Sequence, residues 1–71
     1  MKIGTYIAAM RHRRGITQED LARILAISPG SVGLWESGKT NPKVSRLPDI
    51  AAALRCRVDD LLGTRKTKTA P

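Results

Sequence analysis

The chain has 71 residues, enough for one domain near the lower limit at which a hydrophobic core alone can hold a fold. Thirteen Lys and Arg stand against six Asp and Glu, and a pI near 10.6 suits a polyanionic partner. The single Cys56 excludes an internal disulfide and a structural zinc site, and no apolar run is long enough to cross a bilayer. A reducing cytoplasm is the expected compartment, and a patterned helix following Lys2 directly argues against a signal-like start.

Five short helical patterns follow one another, with no alternating strand pattern. Ile3, Ile7 and Met10, at i, i+4 and i+7, predict a first helix from Ile3 to Arg13, stopped by Gly15 in a left-handed conformation. Thr17 caps the second helix, with Asp20 three residues on as its reciprocal partner. Glu19 and Asp20 suit the positive end of that helix, and Leu21, Ala22 and Leu25 face inward. Ser28 caps the third helix, with Pro29 at the first helical position, where its missing N–H costs nothing. Val32 and Trp35 form its buried side, and Gly38 ends it.

A polar loop from Lys39 to Val44 holds Pro42. Pro48 is tolerated only in a first turn, which predicts a fourth helix from Ser45 that buries Leu47, Ile50, Ala51 and Leu54. Arg55 stands where a glycine stop is easier. A last helix runs from Val58 to Leu62, with Asp59 and Asp60 near its start and Gly63 closing it. The expected organisation is a domain over residues 1–63 and a basic, disordered tail over 64–71, which carries Arg65, Lys66 and Lys68.

The second and third helices, joined by a tight turn and each opened by a capping residue, form a helix-turn-helix. That geometry lays the second of the pair in the major groove of DNA. The residues that carry it resemble a known family. Ile3-Gly4, Arg11, Arg14 to Ala22, Ile27-Ser28, Trp35 to Lys39, Pro42, Ile50-Ala51, Leu54 and Asp60 to Leu62 look like the Cro and phage-repressor type helix-turn-helix domain. The resemblance spans about Ile3 to Leu62. It implies an all-α, five-helix, lambda-repressor-like bundle that regulates transcription by binding a near-palindromic operator on double-stranded DNA as a dimer.

Thr17 and Gln18 open the second helix, whose first-turn N–H groups suit an anion. In this family the Gln touches a phosphate and braces the recognition helix. Lys39, Thr40, Asn41 and Lys43 follow the third helix and are expected over the sugar-phosphate backbone. Arg13 and Arg14 add long-range attraction or form a solvated helix end. The resemblance pairs Arg11 with Glu36 as a structural ion pair between the first and third helices. It also places Arg46, Cys56, Arg57 and Val58 at a dimer contact, a small patch with two like charges that implies a dimer weak without DNA.

The recognition face departs from the family pattern. Ser28, Pro29, Gly30, Ser31, Gly33 and Leu34 take the positions where relatives often carry Gln, Arg or Asn, and on the outward face only Ser31 brings a hydrogen-bonding side chain. Pro29 and Leu34 suit thymine methyl groups, and the glycines let backbone come close. Such a face also fits an alternative class: an antitoxin-like interaction module that binds a toxin-like or other protein partner, and DNA only as a complex. His12 lacks companions at ligand spacing and Cys56 lacks a base, so no metal, no cofactor and no enzymatic activity are expected. A membrane role is not expected, because the apolar residues make a closed core pattern rather than one lipid-facing stripe.

Overall fold

The computed structural model of the protein describes residues 3–62, so the expected Gly63 stop and the basic tail lie outside the described residues. Five helices follow in order: α1 Ile3–Arg14, α2 Gln18–Leu25, α3 Pro29–Ser37, α4 Leu47–Leu54 and α5 Val58–Leu62. No strand occurs among the described residues.

Helices α1 to α4 each end for a local reason. Gly15 stops α1 at a φ of +68°, and Gly38 stops α3 at +84°. The Lys39 N–H then donates to the Leu34 carbonyl at 3.0 Å, which closes the left-handed cap of α3. The reciprocal box at the start of α2 is complete. The Asp20 N–H donates to Thr17 Oγ1 at 3.0 Å, and the Thr17 N–H donates to Asp20 Oδ2 at 2.9 Å. That backbone hydrogen bond, followed by the Thr17 hydroxyl, holds the Asp20 carboxyl below its ordinary value.

Two helix ends lack glycine. Ala26 closes α2 at a φ of +59° and Arg55 closes α4 at +55°, each with the same pair of backward hydrogen bonds that glycine would allow without strain.

The start of the fourth helix differs from the sequence expectation. Val44–Arg46 forms a single 3-10 turn, and α4 begins only at Leu47. Pro48 has no N–H to bond the Val44 carbonyl, so the Leu47 N–H takes that carbonyl in the tighter i, i+3 pattern. Ser28 is likewise corrected. It occupies the N-cap position of α3, but its hydroxyl lies 3.0 Å from the Ser31 hydroxyl instead of capping a backbone N–H.

Ile7, Leu21, Ala22, Val32, Leu47, Ile50, Leu54 and Leu61 are buried together with Trp35 and Ala51. All five helices contribute to this one core. Burying a side chain the size of Leu or Ile stabilises the fold by about 1.5–3 kcal/mol, so these residues dominate its stability.

Gly4 fixes where α3 sits. A Cβ on Gly4 would lie 1.7 Å from the Trp35 carbonyl oxygen and 3.0 Å from Glu36 Cα. Helix α1 therefore meets α3 backbone to backbone, and only glycine permits that approach. No helix among the described residues is long and apolar enough to cross a membrane.

Candidate nucleic-acid interface

The start of α2 and the length of α3 are locked together by one carboxylate. Arg11 on α1 donates Nε to Glu36 Oε2 at 2.7 Å and Nη2 to Glu36 Oε1 at 3.0 Å, a two-pronged pair. A third guanidinium nitrogen, Nη1, donates to the Ile16 carbonyl at 2.9 Å in the turn before α2. Both side chains are largely covered, 12% and 10% exposed. Gln18 Nε2 donates to the same Glu36 Oε1 at 3.0 Å. The expected pair is therefore present, and it forms the centre of a network joining α1, α2 and α3.

Burial pushes the Glu36 carboxyl up, but hydrogen bonds from Arg11 and Gln18 and the Arg11 charge outweigh it, and the group sits below its ordinary value. The same hydrogen bond raises Arg11 further above an already high value.

A carboxylate only accepts hydrogen bonds, so Glu36 turns the Gln18 amide one way: NH2 inward, with Oε1 lying over Gly33. A Cβ at Gly33 would stand 3.5 Å from Gln18 Oε1, in ordinary contact. The glycine thus leaves open the space beside the Gln18 amide that a methyl would fill, and Gln18 as a whole stays exposed.

Beyond Gln18, the residues read as DNA-facing divide in two. Pro29, Gly30 and Leu34 are exposed on α3, Leu34 at 43%. Ser31 is half-buried, and its hydroxyl is engaged with that of Ser28, so fewer free polar atoms face outward than the sequence suggests. Lys39, Thr40, Asn41 and Lys43 are all exposed. The Thr40 N–H also reaches the Leu34 carbonyl, at 3.3 Å, which folds the loop back over the end of α3. Pro42 is buried and anchors the loop between them.

Arg14 has a different task from the one expected. Its Nε donates to the Leu54 carbonyl and its Nη2 to the Arg55 carbonyl, both at 2.8 Å, so it caps the end of α4. Those orphan carbonyls are what a helix C-terminus leaves unsatisfied, and a cation there also suits the dipole. Arg13 and His12 remain exposed, with His12 Nε2 3.1 Å from Arg11 Nη2.

At the expected dimer patch, Arg57 is exposed, while Arg46, Cys56 and Val58 are half-buried. Cys56 and Val58 pack against the protein's own core. Burial, followed by the Asp60 charge, pushes the Cys56 thiol up, the opposite of what a nucleophile needs. Asp59 and Asp60 both stand in the first turn of α5, and Asp60 also caps it, its Oδ2 accepting the Arg57 N–H at 2.9 Å.

Sequence reasoning missed Gly4 as a positioning residue. Its only local signal is a glycine on the Ile3, Ile7 side of a helix, which says nothing of what approaches it.

The chain is similar to known proteins over nearly its whole described length. A family model described as helix-turn-helix matches residues 7–61. An HTH-type transcriptional activator of Enterococcus faecalis, BcrR, is 32% identical over 62 residues, which are 87% of this chain and 30% of that protein. The chain thus spans about a third of the activator's length. An uncharacterized HTH-type transcriptional regulator of Archaeoglobus fulgidus is 33% identical over 57 residues, 80% of this chain and 81% of the relative. Among solved structures, the P22 c2 repressor protein in complex with a synthetic operator superposes with a TM-score of 0.81 at 29% identity. That match covers 92% of this chain and 98% of the repressor chain.

Proposed function

The chain belongs to the helix-turn-helix family of DNA-binding transcriptional regulators, a non-enzymatic class, and on that footing we propose that it binds a near-palindromic operator as a homodimer and represses in the manner of a Cro-like protein. Occupying an operator is enough to repress, so this role needs no contact beyond DNA. The single observation that carries the reading is the exposed stretch formed by Gln18, the outer side of α3 and the Lys39–Lys43 loop. Gln18 is braced on Glu36 and the loop is folded over the Leu34 carbonyl. Helix α3 enters the major groove, the start of α2 and the loop lysines hold phosphates, and Leu34 and Pro29 meet thymine methyls.

The two copies meet through Arg46, Cys56, Arg57 and Val58, which spaces their α3 helices roughly 34 Å apart, one turn of DNA. Because Cys56 and Val58 already pack on their own core, little apolar surface is left for the partner copy, and the dimer forms mainly on DNA.

Selection of bound sequences from random duplex tests the reading directly. The expected result is a two-fold symmetric site with half-sites one turn apart. Val58→Glu should abolish cooperative binding while each protomer stays folded; a tight dimer in free solution that survives this change places the interface elsewhere.

One observation favours an interaction module instead. The Ser31 hydroxyl is engaged with Ser28, which leaves the outer side of α3 almost without base-reading groups. Under that reading, no duplex is bound until a second, toxin-like protein is supplied.

A further inference from the structure

Among the described residues, the most exposed large apolar side chain on an α-helix has no part in the DNA-binding reading. Ile24 on α2 is 58% exposed. It separates two adjoining hollows of about 370 and 330 Å3 that together run between α2 and α4 and share Ile24 and Ala53. Leu25 and Ala52 line one hollow and Ile16 the other. At one end of this groove stand Arg14 and Arg55, and at the other stands Asp49. Arg14 is held rigidly by the carbonyls of Leu54 and Arg55, which use two of its five N–H donors. The groove is therefore apolar along its floor and polarised from end to end.

We propose that this groove is a docking site for a short amphipathic helix of another protein, with apolar side chains every three or four residues and carboxylates clustered at one end. A convex row of Leu-like side chains fills the two hollows as helix-in-groove recognition requires. Its carboxylates meet the preorganised Arg14 and the exposed Arg55, and the single Asp49 at the far end sets the direction in which it lies. The protein's net charge of +7 draws an acidic partner from a distance. A second copy is the poorer occupant, because it brings a net charge of +7 of its own against the same charge on this one.

Ile24 is six residues beyond Gln18 on α2, roughly 9 Å along the axis and about 120° around it. The groove thus stays open when the Gln18 side is engaged with DNA, and the occupant can ride on the bound regulator.

The test uses the full chain and three synthetic helical peptides: an acidic amphipathic one, a scramble of the same composition, and the first with every Glu replaced by Lys. Binding is followed by fluorescence anisotropy and by amide chemical shifts. The acidic amphipathic peptide should bind best, with the largest shifts at Leu25 and Ala53. Ile24→Gln and Arg55→Glu should each weaken it about tenfold, or 1.4 kcal/mol, while operator-duplex binding by Ile24→Gln stays unchanged.

Equal binding of the scramble shows charge attraction alone and overturns the proposal. So does equal binding of the lysine peptide, or no binding at millimolar concentration. Concentration-dependent self-association that Ile24→Gln removes makes a second copy the occupant, and overturns it too. Failure of the chain to bind any duplex, with the groove results as expected, defeats the DNA reading and leaves the docking site standing.

Discussion

The inner and outer sides of α3 are built on opposite terms. The inner side carries Val32 and Trp35 in the core, Glu36 in a three-way network, and a carbonyl that all but touches Gly4. The outer side carries Pro29, Gly30, Gly33 and Leu34, with hardly a polar atom among them. The helix has two glycines and no side-chain cap, so its own propensity is poor. It is held in place by what it packs on. Placement and reading are therefore separate problems in this domain, and changes on the two sides should have different readouts.

The largest effect is expected at Gly4. Gly4→Ala puts a methyl 1.7 Å from a backbone oxygen, so α1 and α3 must move apart, at a cost of about 3 kcal/mol or more. Urea melts measure the loss, and DNA binding should fail with it. A stable, binding Gly4→Ala variant breaks the idea that backbone contact sets the position of α3.

Arg11 and Glu36 come next. Removing either partner leaves a largely covered charge alone, at about 3 kcal/mol, the lower end for buried pairs because each side chain keeps some exposure. The Arg11→Ala, Glu36→Ala double variant should lose less than the two single losses together; strict additivity means that the pair is not a unit. The pH dependence has a definite sign. Glu36 is held below its ordinary value in the fold, so its contribution is complete above about pH 4.3, the range of an unfolded glutamate, and is lost as pH falls through the lower folded value. Asp20 acts in the same direction. Thermal melts between pH 5 and 2 (a range of about three units, chosen to bracket those carboxyls) should show a shallower decline for Glu36→Gln than for the natural chain.

On the outer side the effects are on binding alone. Lys39→Ala and Lys43→Ala should weaken binding to every duplex alike, and each should flatten the log–log salt slope by about 0.9, the share of the one phosphate that the missing lysine had neutralised. A loss confined to one sequence moves that lysine from the backbone to a base. The smallest effects belong to the recognition face. Leu34→Ala should relax preference at a T·A step by about 1 kcal/mol, while Ser31→Ala should change little because its hydroxyl is engaged with Ser28. Strong sequence preference that survives both changes means the domain reads DNA shape rather than methyl groups.

What the sequence made legible was mostly local. The Thr17–Asp20 box, the left-handed Gly15 and Gly38, and the inward sides of α2 and α4 follow from residues within one or two turns of each other. The Arg11–Glu36 pair spans 25 residues and came from the family resemblance, not from spacing. The rest depended on contacts between helices. Gly4 matters because Trp35 arrives beside it, and Arg14 caps α4 because residues 40 positions away end there. The start of α4 was misplaced for a local reason, since a proline in the first turn is compatible with either an α or a 3-10 entry. Of the binding surface, residue identities were plain; the engagement of Ser31 by Ser28 is a local i, i+3 contact, whereas the amide orientation of Gln18 appears only once α2 and α3 are packed.

Ala26 and Arg55 hold a left-handed conformation with a Cβ in place, at a cost of about 1–2 kcal/mol each. Ala26→Gly and Arg55→Gly remove that strain, offset in part by the greater freedom glycine brings to the unfolded chain. Both turns lie outside the stretch expected to face DNA, so stability can be raised there without altering the DNA that is bound; Arg55→Gly also removes a cation of the α2–α4 groove, which Ala26→Gly leaves intact. New side chains at Gly30 and Gly33 could then be explored on a sturdier background, and a domain with so plain a recognition face becomes a practical scaffold for evolving new operator preferences.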